Sequence, residues 1–466
     1  MHTKLTMTSP RFMRTLPALL LAAAPAAYAA DHDCGPTCTH GHHHASDDSD
    51  ASWFDRANDW SLWDGLISGS LHGYMSYGGS TGELGELQTG GHDPQREGWT
   101  LQAIEPSISI KPTEHISGFA NGLFFSDAEG DVSWEWEEIF GSVHDLPGGF
   151  DLRGGQFLNR VGVFNPTHIH QWQFVDMPLL TTRFLGDDGL ITRSGEINWR
   201  PQIGDPLTNQ SILTVSYGEV RPHNHDHSHG DHNHHGHDHD HDEVEALFEE
   251  EGAHFNDRVF STRAAHSHRF SDQHELTTGI SYVYGDNEFG RHNHVGGLDF
   301  SYRWNADLTD PDAVSVLWKT EIFGRSVAAR SGEIHGDEEH HDHHEDEEHH
   351  EDDHHEEDHL AHEDHDEDEH HDDGPRDATF DEIGISSSVV ASWSRHWDTG
   401  IRFDYVSGIQ DLGLNERIRV SPSVTFFPDN NRRTHIRAQY NFDHSPNHGS
   451  DHTVWIQAGI ALGSPH

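Results

Sequence analysis

The sequence predicts an all-β chain: a transmembrane antiparallel β-barrel of about sixteen strands, with long His/Asp/Glu-rich extracellular loops. Three observations predict it. Apolar and polar residues alternate with period two from about Leu66 onward. Short and long connections alternate between the strand-like segments. A secretory leader is followed by no apolar run of the ~20 residues a spanning helix needs.

The elements follow in chain order. Arg11 and Arg14 precede a short apolar run, Leu16 to Ala24, and Ala27-Tyr28-Ala29 is an A-x-A cleavage site. Residues 1–29 are expected to be a signal peptide. Residues 30–65 are expected to form a short periplasmic segment holding two cysteines, Cys34 and Cys38, beside His32, His40 and His42 to His44. A disulfide or an unstructured tail is one reading of that cluster, and a thiolate–imidazole metal site is the other.

From residue 66 to 466 the barrel is expected. Its strands fall near residues 66–77, 99–111, 115–126, 132–142, 150–157, 190–200, 211–221, 258–270, 274–285, 295–304, 314–324, 379–393, 396–406, 416–427, 432–442 and 453–462. The last three are the most regular. Ile418, Val420, Val424 and Phe426 alternate with Arg417, Arg419, Ser421, Ser423 and Thr425, and Ile436, Ala438, Tyr440 and Phe442 with His435, Arg437, Gln439 and Asn441. Segments 132–142 and 150–157 are irregular, with Val132 to Val143 readable in part as loop, and Pro106 and Pro422 each remove a ladder bond. Short turns are expected at Lys111–His115, Phe270–His274, Trp393–Trp397 and Phe427–Arg432. Long loops are expected at Tyr77–Gly98, Leu158–Gly189, Arg221–Asn256, Gly324–Ala378 and Asn441–His452. An even strand count puts both ends on the periplasmic side and every long loop outside.

Composition agrees. A chain only 33% hydrophobic suits a barrel whose interior is polar. Aromatic residues near strand ends, among them Trp99, Tyr282, Tyr284, Trp304, Trp393, Trp397, Tyr405, Phe426, Phe427, Tyr440 and Phe442, fit interfacial girdles. A formal charge of −53 argues against nucleic acid as a partner and for attraction of cations. The partners expected are divalent metal ions and outer-membrane lipid, and a homotrimer is among the assemblies this reading allows.

Two histidine–carboxylate tracts, His223–His254 and His335–His371, have no counterpart in a packed core, and residues 222–254 and 335–373 are expected to be disordered, solvated loops. In the first, His223, His225, His227 and His229 recur every second residue, as do His237, His239 and His241. The second uses pairs: His340-His341, His343-His344, His349-His350, His354-His355 and His370-His371. Imidazole suits borderline metals, and so many near-equivalent donors imply a set of weak, exchanging sites. Zn²⁺, Cu²⁺ and Ni²⁺ would all bind loosely, with zinc the expected ion, and capture should weaken as pH falls. The competing reading is an acidic loop that interacts with divalent ions bridging surface lipids. No enzyme is expected, because these neighbouring histidines and carboxylates lack fixed geometry and no positioned Ser–His pair stands out.

A further stretch is ordered in composition: Gly154-Gly155-Gln156-Phe157-Leu158-Asn159-Arg160-Val161-Gly162, then Asn165-Pro166-Thr167-His168-Ile169-His170, Phe174-Val175-Asp176-Met177-Pro178-Leu179 and Phe184-Leu185-Gly186-Asp187-Asp188-Gly189-Leu190. With Glu135-Trp136-Glu137-Glu138-Ile139-Phe140 upstream and Val454-Trp455-Ile456-Gln457 and Leu462-Gly463 near the end, it resembles a family of porin-like outer-membrane proteins described as zinc-regulated outer-membrane receptors or porins. The resemblance covers most of the barrel from about Val132, although His466 stands where such barrels usually have Phe. It implies an outer-membrane barrel linked to zinc uptake, with Leu158–Gly189 folded inward as the constriction. His168 and His170 would then be second-stage ligands, the other reading being that they simply hydrogen-bond within a packed loop, and Asp176, Asp187 and Asp188 would add negative charge. Opposite them, inward-facing Arg402, Arg417, Arg419, Arg433 and Arg437 would complete a transverse field. The function expected is a channel that gathers zinc on its surface loops and passes it to the periplasm. The alternatives are a metal-sequestering surface protein and a general porin.

Overall fold

The computed structural model describes residues 60–88, 90–221, 254–331 and 377–463. The expected signal peptide, Cys34 and Cys38, and the tract histidines from His223 to His241 and from His340 to His371 lie outside these residues.

Sixteen antiparallel strands close a barrel. They are β1 (Ile67–Ser80), β2 (Gly98–Thr113), β3 (Ile116–Ser126), β4 (Val132–Leu146), β5 (Phe150–Leu158), β6 (Ile191–Trp199), β7 (Asn209–Val220) and β8 (Arg258–Ser271). Then come β9 (His274–Asp286), β10 (His292–Asn305), β11 (Ser315–Arg330), β12 (Asp377–Ser394), β13 (Trp397–Val406), β14 (Arg417–Phe426), β15 (Thr434–Ser445) and β16 (Gly449–Gly463). Each pairs with the next, and β16 returns to β1, with Gly463 opposite Ser70. A two-residue strand, Ser61–Leu62, adds to β1. Closure leaves no free edge, so every strand is hydrogen-bonded on both sides.

The two-residue period sets what faces where. On β16, Val454, Ile456 and Ile460 are exposed on the outside, whereas Thr453, Trp455 and Gln457 point inward and are buried. On β14, Arg417, Arg419 and Ser421 point inward. The exposed large side chains on other strands, such as Trp99, Ile108, Trp136, Ile322, Trp393 and Ile401, are apolar. An apolar exterior around a polar interior is the arrangement lipid demands of a spanning barrel. No helix among the described residues is long and apolar enough to cross a membrane.

Several expectations are corrected. Asn441–His452 is no long loop, because β15 runs to Ser445 and β16 starts at Gly449, leaving residues 446–448 between them. The Gly324–Ala378 connection is shorter than expected, since β11 continues to Arg330 and β12 begins at Asp377. The irregular 132–142 segment is strand throughout, and its irregularity is a β-bulge: Asn121 faces Glu138 while the next residue, Gly122, faces Trp136. Both strand prolines are accommodated by gaps. No pair is formed between Ile104–Phe124 and Ser107–Asn121 beside Pro106, nor between Val420–Phe442 and Ser423–Gln439 beside Pro422.

The connection from β5 to β6 folds inward. Both strands have 9 residues, against 15 in β4 and 12 in β7, so the chain leaves the wall early. It carries a 3₁₀ turn at Ile169–Gln171 and a helix, α1, at Leu179–Leu185. Leu179, Leu180, Phe184 and Leu185 of α1 join Val259, Val283, Val295, Phe323 and Val406 of the wall in one apolar cluster. Burying each large member contributes roughly 1.5–3 kcal/mol, enough to hold the loop in the lumen.

Candidate metal centre in the lumen

Gly162 starts the inward course. Its φ of +65° suits glycine, and a Cβ there would lie 2.0 Å from Glu321 Oε2. That close approach lets the next two backbone N–H groups, of Val163 and Phe164, donate to the same oxygen at 2.6 and 3.3 Å. Asn165 ties the loop ends together, donating to the Asn159 carbonyl at 2.7 Å and accepting from the Leu190 N–H at 2.7 Å.

The loop then delivers His168 and His170 to the β1–β4 wall. His168 Nδ1 lies 2.8 Å from Glu137 Oε2 and 3.5 Å from Glu105 Oε1, and its Nε2 lies 2.9 Å from Glu138 Oε2. His170 Nδ1 lies 2.9 Å from Glu105 Oε1. His170 stacks on His168 with ring centroids 5.4 Å apart and on His72 with centroids 4.3 Å apart. Asn121 donates to Glu105 Oε1 at 2.6 Å. Burial alone would push the His168 imidazole down, but Glu137 and Glu138 outweigh it and hold it well above its usual value.

Two bulges aim these carboxylates. In β4 the extra residue is Glu137, so Glu137 and Glu138 are adjacent yet both buried on the lumen side. In β2 the pairing skips Gln102, since Tyr74 faces Ala103 and Met75 faces Leu101. Without that skip the period would turn Glu105 outward. No arginine or lysine among the described residues forms an ion pair with Glu105, Glu137 or Glu138. The donor atoms of His72, Glu105 and His170 lie within 4.8 Å of one another, as do those of Glu105, Glu137 and His168. Imidazole with carboxylate at this spacing is a donor set for Zn²⁺.

A second node sits beside it. His92 Nε2 lies 2.9 Å from Glu135 Oε1 and 3.5 Å from Asp188 Oδ1. Burial lowers the His92 imidazole, but Asp188 and Glu135 push it up to about 9. These three could also hold a cation. Arg221 already fills that role, pairing with Asp188 and, at 3.1 Å, with Glu135.

Asp176 anchors the loop to the far wall. It pairs with Arg402 and Arg419 at 2.8 Å each and accepts from Gln439 and Asn441 at 2.6 and 2.8 Å. Arg437 donates to the carbonyls of Trp172 and Phe174, and Arg417 to Asp443. The structure therefore brings Asp176 into contact with arginines where the sequence suggested a field across a gap. Asp187 is exposed, and Arg433 falls in the turn before β15, outside the strand. Sequence reasoning missed His72, Glu105, Glu137 and Glu138 as partners of the loop histidines. The doubled Glu137-Glu138 inside a strand-like segment was the available signal.

No family model matches the chain. An uncharacterized protein of Aquifex aeolicus is 38% identical over 126 residues, which is 27% of this chain and 24% of that protein. The match thus spans about a quarter of that relative's length. Among solved structures the chain is similar to the outer-membrane channel DcaP of Acinetobacter baumannii (9% identity, 87% of this chain and 100% of that one, TM-score 0.45). It is also similar to the anion-selective porin of Comamonas acidovorans (6%, 85% and 98%, 0.46) and OmpF of Salmonella typhi (10%, 86% and 99%, 0.46). The strand pairings themselves define the class. This chain is a closed antiparallel β-barrel of the outer-membrane type, apolar outside and polar within, and the third connection at one end, between β5 and β6, folds inward.

Proposed function

We propose that this barrel is a divalent-cation channel, with zinc as its principal ion. The histidine tracts belong to the β7–β8 and β11–β12 connections, which leave the barrel at the same end as the third loop. There they would concentrate metal at the mouth, and the lumen cluster would pass it toward the periplasm. One observation carries the reading: His168 and His170 meet three buried carboxylates that no arginine or lysine among the described residues pairs. A divalent ion supplies the charge such a group lacks. The inward side chains around the loop, including Arg402, Arg419, Asp404 and Gln457, are buried, which favours ligand exchange over a wide aqueous passage.

Planar-bilayer recording tests this. Low-micromolar Zn²⁺ should block the potassium current of the wild type, and His168→Ala/His170→Ala should remove the block. A current indifferent to zinc would favour the general-porin reading. Absence of any current would favour a surface protein that only sequesters metal.

A further inference from the structure

The lumen cluster contains two donor groups that share one residue. His72, Glu105 and His170 form the first, and Glu105, Glu137 and His168 form the second. We propose that the cluster holds two divalent cations at once, with the Glu105 carboxylate bridging them. This rests on the metal-channel reading above and adds to it the number of ions and the residue that couples them.

The geometry separates the two positions. His168 and His170 are nearly parallel, with an interplanar angle of 9°, and His72 stacks on His170 at 12°. Among the described residues no donor group within 4.8 Å holds His72 and His168 together, so these two mark the ends of the cluster. A single ion with ligand bonds of about 2.0–2.2 Å cannot reach both ends. Glu105 lies between them, its Oε1 2.9 Å from His170 Nδ1 and 3.5 Å from His168 Nδ1. The His170 Nδ1–Glu105 Oε1 pair, at hydrogen-bond distance, shares a proton where a metal ion could stand, and His168 Nδ1 does the same with Glu137 Oε2.

Supporting contacts also fit two positions. Glu138 takes His168 Nε2 at 2.9 Å, which leaves Nδ1 directed at Glu105 and Glu137. A carboxylate on the far nitrogen is how ligating histidines are usually oriented. Asn121 holds Glu105 Oε1 at 2.6 Å from the side of β3. Pairing also has a purpose in transport. One closed site with this many donors would retain zinc, whereas repulsion between neighbouring ions lets each arriving ion release the one ahead.

The test is anomalous diffraction from crystals of the full chain soaked in Zn²⁺. Two lumen peaks are expected, about 3.5–4 Å apart, on either side of Glu105. His72→Ala should remove one peak and keep the other, His168→Ala should do the reverse, and Glu105→Gln should weaken both. Heat-shifted gel mobility of each variant checks that its barrel has closed, and the wild-type map decides the matter without any variant. One peak alongside zinc block of the current would overturn the two-ion arrangement and leave the channel reading standing. No lumen peak and no block would overturn both.

Discussion

At the scale of residues, Asp176 shows how charge fastens the third loop. Burial pushes its carboxyl up, and Arg402 and Arg419 more than reverse this, so it stays below the usual carboxylate value. Its contribution is therefore complete above the ordinary Asp value of about 3.9 and is lost only as pH falls through the lowered one. In a comparison of wild type with Asp176→Asn, the part of loop protection due to Asp176 should accordingly hold from neutral pH down to about pH 4 and fade only in stronger acid. Asp176→Asn removes one of two carboxylates from each of two buried guanidinium groups, Arg402 keeping Asp404 and Arg419 keeping Asp443, a loss at or below the lower end of about 3–5 kcal/mol. The variant should expose the loop to protease at neutral pH while the barrel remains closed on heat-shift gels. Unchanged protection would show that the apolar cluster around Phe184 suffices alone.

At the scale of elements, the bulges decide the site. Glu137 is the extra residue of β4, and deleting it would restore the period with Glu135 and Glu138 still facing inward, so that only the Glu137 carboxylate is lost from His168. A Glu137 deletion should fold, keep its potassium current and lose zinc block, as read by bilayer recording. Replacing 161–189 with a short linker should raise single-channel conductance several-fold, because α1 and its apolar cluster leave the lumen. Regular strands were readable from the sequence because each residue of 434–442 or 453–462 has its environment set by the same two-residue period. The bulges were not, because one extra residue makes the alternation look like loop, as it did for Val132 to Val143. Nor was the site. His72, Glu105 and His168 meet through strand register and an inward loop, and neither leaves a mark on local spacing. The loop histidines were legible only as ligands without partners, and the arginines of β13–β15 as an inward stripe whose acidic contact, Asp176, lay far away in sequence.

At the scale of the molecule, the barrel separates two tasks. Its wall and third loop form one closed body, and the two histidine tracts fall in sequence within the β7–β8 and β11–β12 connections. Deleting 222–253 and 335–371 together should leave heat-shifted mobility unchanged, since no described strand is lost, and should slow growth under zinc limitation. Equal growth would mean that the tracts do not serve capture. The central claim is that divalent metal crosses by way of the lumen cluster, and zinc entry into sealed proteoliposomes containing an internal indicator tests it most directly. Entry through the wild type should saturate with external zinc and fall at least tenfold in His168→Ala/His170→Ala, about 1.4 kcal/mol or more in the barrier to passage. Zinc entry that rises linearly, and equally in both proteins, would contradict it.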